Sequence, residues 1–228
     1  MSGSQSTPLT IAIGGGKSVS GLLQAPAQPR ACFVFAHGAG AGMTHPFMAA
    51  VADELAAREI ATLRYQFPYM EHGNKRPDPP KVAHAAVRAA VVEAARRLPG
   101  TALIAGGKSF GGRMTSQAQT IAALPGVRGL AFLGFPLHPA GRPSQDRGAH
   151  LFDVPLPVLF LQGTRDALAL PAEIKAICAA LGPRATLKMF QDADHSFHVP
   201  ARSGRKDADV RVQMFDAFAA WLDMVLAG

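Results

Sequence analysis

Cysteine is nearly absent: two residues, Cys32 and Cys178, in a chain of 228. Both lie in apolar surroundings with no metal-ligand spacing around them, which excludes a disulfide scaffold and a thiolate metal centre. Two buried, reduced thiols are expected. No stretch approaches the ~18 uninterrupted apolar residues that a membrane span requires, so no membrane association is expected. The opening residues, Met-Ser-Gly-Ser-Gln-Ser-Thr-Pro, have no basic segment leading into an apolar one, and a cytoplasmic location is the expectation. Carboxylates are the scarcer charge, 16 against 23 Lys and Arg, for a formal net charge of +7. The basic residues are scattered, apart from Lys75-Arg76 and a cluster at 202–206, and no nucleic-acid motif accompanies them. Nucleic acid is therefore not an expected partner. The charge reads as a surface property that leaves an anionic substrate open.

What is present is apolar sequence in regular blocks, 48% of the chain. The length suits one substantial domain, 1–228, with residues 1–7 as a flexible tail. Residues 8–13 and 18–24 are β-type runs joined by glycines, as in a hairpin. Apolar runs at 31–36, 60–65, 102–105, 127–133, 157–162 and 185–190 read as strands covered on both faces. Between them lie helical patterns at 45–58, 81–98, 111–123 and 171–181, and an amphipathic helix over 208–226 closes the chain. Loops are expected at 66–80, 134–154 and 191–205. The alternation predicts an α/β fold: a mostly parallel sheet with helices on both faces, preceded by an antiparallel hairpin.

One stretch carries chemistry. After the run 102–105 comes Gly107-Lys108-Ser109-Phe110-Gly111, followed by a helical pattern. A strand turning sharply into a helix brings backbones so close that flanking side chains would clash, so glycine is needed on both sides of the central serine. The serine is pushed out above the strand end, and the next N–H, at the helix N-terminus, can bind an anion. The pentapeptide alone is a weak signal; the strand before it and the helix after it give it weight.

A serine hydroxyl needs an imidazole to take its proton, and that imidazole needs a carboxylate to fix its tautomer. Ligand sites in open α/β sheets lie off the carboxyl ends of the strands. Ser109, Asp166 and His195 each follow a strand, in the order Ser…Asp…His. Asp192 and Asp194 are rival acids, but neighbours on a loop seldom reach the same ring nitrogen. His198 is a rival base farther from its strand. The glycine-rich loop His37-Gly38-Ala39-Gly40-Ala41-Gly42 follows the first buried strand. Its Ala39 N–H, paired with the Phe110 N–H, is expected to hold the oxygen of a tetrahedral intermediate.

On these segments the chain resembles a small α/β-hydrolase, similar to the dienelactone-hydrolase-like branch and to compact bacterial predicted hydrolases. The carrying motifs are the 37–42 loop, the 107–111 turn, Gly163-Thr164-Arg165-Asp166 and Asp194-His195-Ser196-Phe197. The resemblance covers residues 8–226 and implies a serine hydrolase acting on a small acyl substrate, with no metal and no organic cofactor. Dienelactone hydrolases proper carry cysteine where this chain has Ser109. Residues 134–154 leave little room for a cap domain, so specificity would come from short loops. Gly40, Arg64, Tyr69, Lys108 and His138 are candidate substrate contacts, with His72, Lys75, Arg76 and Arg142 as further basic groups nearby.

Other classes stay in view. Two Gly-Lys-Ser tripeptides lack the earlier glycine of a phosphate-cradling loop, with Ile11 and Ala102 in its place. Gly38-x-Gly40 with Arg64 after the next strand suggests an NADP-dependent reductase, but Met43 stands where the third glycine belongs. A catalytically silent protein using this fold to bind a partner is the third reading.

Overall fold

The computed structural model describes residues 5–228. Eight strands form one sheet: β1 (Thr7–Gly14), β2 (Lys17–Gln24), β3 (Ala31–Ala36), β4 (Ile60–Tyr65), β5 (Ala102–Lys108), β6 (Val127–Leu133), β7 (Val158–Gly163) and β8 (Ala185–Phe190). Their spatial order is β1-β2-β4-β3-β5-β6-β7-β8. β1 pairs antiparallel with β2, and β2 antiparallel with β4. Every pairing from β4 to β8 is parallel. This is the α/β-hydrolase arrangement, hairpin included. Of the expected N-terminal tail, residues 1–4 lie outside the described residues. Thr7 already belongs to β1, and Ser6 Oγ is held between Gln24 and Arg64.

Period-two burial explains the layering. In β3, Cys32, Val34 and Ala36 enter one core, while Ala31, Phe33 and Phe35 enter the other. The first core is covered by α3 (Pro80–Arg97), α4 (Phe110–Ile121) and α5 (Pro171–Leu181), through side chains such as Val87, Met114 and Ile174. The second lies under α1 (Pro46–Ala56) and α6 (Asp207–Ala227), through Val51, Leu55, Phe215, Phe218 and Trp221. Each large apolar side chain buried there contributes about 1.5–3 kcal/mol. Cys32 and Cys178 are free and buried, and burial pushes both thiols up to about 12.

Proline sets several helix starts. Pro46, Pro80 and Pro171 each open a helix, where the missing N–H would have had no intrahelical partner. Pro68 does the same for α2 (Pro68–Glu71), a single turn inside the segment expected to be loop throughout. Between β6 and β7 the only regular piece among the described residues is a 3₁₀ segment, Asp146–Asp153, so no cap domain covers the carboxyl edge of the sheet. No helix among the described residues is long and apolar enough to cross a membrane.

Candidate active site

The turn after β5 is as tight as its glycines imply. A Cβ at Gly107 would lie 2.5 Å from the Ala36 carbonyl oxygen, and one at Gly111 would lie 2.6 Å from the same oxygen. Between them Ser109 takes a left-handed backbone conformation, φ 51° and ψ −115°. For a residue with a side chain this costs on the order of 1–3 kcal/mol. The strain lifts the hydroxyl out over the end of β5 while α4 starts at Phe110.

Three loops converge there. His195, five residues past β8, places Nε2 2.9 Å from Ser109 Oγ and Nδ1 2.7 Å from Asp166 Oδ2. That pairing assigns the ring proton to Nδ1, which donates to the carboxylate, and leaves Nε2 to accept from the serine hydroxyl. Asp166, three residues past β7, is fully buried, whereas the His195 side chain is 25% exposed. The carboxylate also accepts the Leu168 N–H at 2.8 Å and the Gln162 side-chain amide at 2.6 Å. Gln162 is a residue that sequence reasoning passed over. Its carbonyl oxygen accepts the Phe135 N–H at 2.9 Å, so one amide ties the end of β6 to the acid. The visible signal was a lone polar side chain in an otherwise apolar strand.

The rivals are occupied elsewhere. Asp194 Oδ1 accepts the N–H groups of Ser196 and His198 at 2.7 and 3.0 Å, fixing the loop that presents His195. His198 pairs with Asp207 at 2.9 Å, both exposed; that hydrogen bond raises the His198 pKa. Asp192 Oδ1 accepts the Gln191 side-chain amide at 3.3 Å, and its own N–H goes to Thr164 Oγ1.

The loop after β3 is held by His37. Its Nδ1–H donates to the Gly38 carbonyl at 2.8 Å, and its Nε2 accepts the Phe67 N–H at 3.0 Å. Burial lowers its pKa to about 4. The ring is neutral and fully committed to the backbone, which fixes Gly38 and Ala39 beside Ser109. Neither the Ala39 nor the Phe110 N–H donates to an acceptor among the described residues, and both residues border one cavity together with Ser109.

Two cavities of about 380 Å³ each meet at the serine. One is bordered by Ala39, Phe47, Lys108, Ser109, His195 and His198. The other is bordered by Ala39, Ser109, Phe110, Arg113, Arg147 and Leu168, and His195 does not reach it. Lys108 donates to the His195 carbonyl at 2.7 Å, with its ammonium 5.7 Å from the Phe197 ring centroid. Burial lowers its pKa to about 8, against the pull of Asp166 and Asp194.

The remaining expected substrate contacts fall away from these cavities. Arg64 is buried and turned into the protein, where it bonds Ser6 Oγ at 2.9 Å and also the Met43 carbonyl and Gln24. In that position it meets no cofactor phosphate, which removes the main support for the reductase reading. His138 is buried between Glu173, at 2.8 Å, and the Pro139 carbonyl. Tyr69 is buried in an aromatic cluster, 6.4 Å from the Phe110 centroid. Gly40, with φ 77°, turns the loop whose neighbours Ala39 and Ala41 border the first cavity. Among the described residues no group of three or more His, Cys, Asp or Glu could hold a metal ion.

Sheet order, the strained serine between glycines and the uncovered strand ends define an α/β-hydrolase-fold protein without a lid. Residues 29–223 match the family described as "Alpha/beta hydrolase domain", and the chain belongs to it. Solved structures agree on the fold. A lidless α/β serine hydrolase from Xanthomonas campestris superposes with a TM-score of 0.74 at 22% identity, covering 95% of both chains. A dienelactone hydrolase from Anabaena variabilis gives 0.76 at 18% identity, covering 96% of this chain and 97% of the other. An α/β serine hydrolase homologue from Coxiella burnetii gives 0.75 at 17% identity, over 92% and 96% of the two chains.

Proposed function

We propose that the chain, as one catalytic domain, is a serine hydrolase that cleaves a carboxylic ester or thioester through an acyl-enzyme on Ser109. The observation that carries this is the unbroken chain of hydrogen bonds Ser109–His195–Asp166, at 2.9 and 2.7 Å, built from three separate loops. In this reading Ser109 Oγ attacks the carbonyl carbon while its proton passes to His195 Nε2. The oxyanion of the tetrahedral intermediate accepts from the Ala39 and Phe110 N–H groups. On collapse the bond to the leaving oxygen or sulfur breaks, and His195 Nε2–H protonates that atom. Water then attacks the acyl-enzyme and yields its proton to His195. A second tetrahedral intermediate collapses with return of that proton to Ser109 Oγ, releasing the acid. Asp166, held by Gln162 and the Leu168 N–H, orients the imidazole and stabilises its charged form.

A fluorophosphonate probe tests the reading, because it reacts with an activated serine. Wild-type protein is expected to label at Ser109, and Ser109→Ala to remain unlabelled. A folded wild type that resists the probe would instead favour a protein that uses this fold to bind a partner.

A further inference from the structure

The two cavities at Ser109 divide the labour of the proposed reaction, on which this inference rests. His195 must pass a proton to the departing atom, so the leaving group belongs in the cavity that His195 borders. The acyl chain is left with the other cavity, whose walls include Met114, Pro136 and Leu168. At its border stand two arginines, Arg113 from α4 and Arg147 from the 3₁₀ segment. Neither guanidinium forms an ion pair or a hydrogen bond with any described residue, and the Arg113 Nε is buried with no acceptor.

The other groups nearby do not neutralise them. Asp78 borders the same cavity but its Oδ2 accepts the Tyr69 N–H at 2.8 Å, and it makes no ion pair with either arginine. His150 bonds Ser116 Oγ at 2.7 Å and is lowered to about 4 by burial and by Arg113. His84 bonds Gln117 at 3.3 Å and is lowered too, chiefly by burial. The Arg113 guanidinium lies 5.8 Å from the Phe110 ring centroid, against the side chain whose own residue borders the same cavity. Two half-buried like charges without a counter-ion form a poor ending for a neutral chain. They suit a planar anion that can accept from both.

We infer that the acyl group ends in a carboxylate, held by Arg113 and Arg147, so that the substrate is a monoester or monothioester of a dicarboxylic acid. Neutral acyl chains of equal length leave both arginines unpaired. The expected preference for the anionic acyl group is roughly tenfold to a hundredfold in kcat/KM, the range for a charged hydrogen bond at a partly desolvated site.

The test compares 4-methylumbelliferyl monoesters of glutaric and adipic acid with the pentanoate and hexanoate, each corrected for spontaneous hydrolysis. Within one preparation the anionic-to-neutral ratio is independent of the folded fraction. The wild-type ratio should exceed ten for at least one chain length, and should fall toward one in Arg113→Met and in Arg147→Met. Should Arg113→Met fail to fold, Arg147→Met, which alters a short surface segment, carries the comparison. A wild-type ratio of one or less, with Ser109 still reacting with fluorophosphonate, overturns the anionic acyl group and leaves the hydrolase standing. Ratios unmoved in the variants overturn the assignment to these arginines. A wild type with neither probe labelling nor turnover overturns both readings together.

Discussion

Two histidines stand just past strand ends at the carboxyl edge of the sheet, and they do opposite things. His37 is sealed in, with both ring nitrogens bonded to backbone groups, and burial holds it neutral with a pKa of about 4. His195 is a quarter exposed, and its nitrogens meet two side chains, one of them a hydroxyl that chemistry can consume. Backbone partners make an imidazole part of the frame. Side-chain partners, one fixed and one reactive, make it available for proton transfer. Residue type and position at the sheet edge do not separate the two roles; the partners do.

The comparison breaks most visibly at His195. His195→Ala should lower kcat for any ester turned over by the wild type by roughly 10⁴-fold or more, with the unfolding midpoint little changed. Steady-state kinetics beside urea unfolding would show it. A variant that lost stability and kept its rate would reverse the two roles.

His37 should answer the other way, with a loss of stability. His37→Ala leaves the Phe67 N–H buried without an acceptor, at a cost of about 1–3 kcal/mol. The cost also depends on pH. The unfolded chain binds the proton near the ordinary value of 6.5, the folded chain only near 4. Stability drawn from neutral His37 is therefore full above pH 6.5 and drains away as pH falls toward 4. The gap between wild type and His37→Ala in urea titrations should be widest at pH 7 and narrower at pH 4.5. A gap independent of pH would show that His37 does not titrate as its burial implies.

The smallest effect sharpens the comparison. Lys108 holds the His195 backbone, so Lys108→Met should lower kcat/KM by roughly threefold to tenfold through looser placement of the imidazole. Its ammonium loses its proton near pH 8 rather than at its ordinary 10.5. The wild-type profile should decline above pH 8, and that limb should flatten in the variant. Identical alkaline limbs would leave Lys108 with a purely structural part.

Much of this was legible in the chain itself. Continuous apolar runs marked the strands because both faces of a parallel sheet are covered, and β3, β4 and β7 are buried throughout. The glycines at 107 and 111 marked the turn because nothing larger fits against the Ala36 carbonyl. Spacing from strand ends favours His195 over His198, and the short reach of loop neighbours favours Asp166 over Asp194; the structure joins Ser109, His195 and Asp166 by hydrogen bonds.

Side-chain direction was not legible. Arg64 and His138 do sit near strand ends, as read, but each turns inward to a partner far away in sequence: Ser6 in one case, Glu173 in the other. Tyr69 reads as a loop residue in the sequence, because Pro68 conceals a one-turn helix that carries its ring inward. Arg113 is not legible as a cavity residue, because a basic residue within a helical pattern looks like a solvated face. Only the fold brings it to the same cavity as Arg147.

The backbone of Ser109 has a further consequence. A hydroxyl raised on a left-handed residue withdraws free energy from the fold at the one point where reactivity is wanted. Glycine would occupy that position with less strain, so a sturdier version of this chain would be one without the hydroxyl.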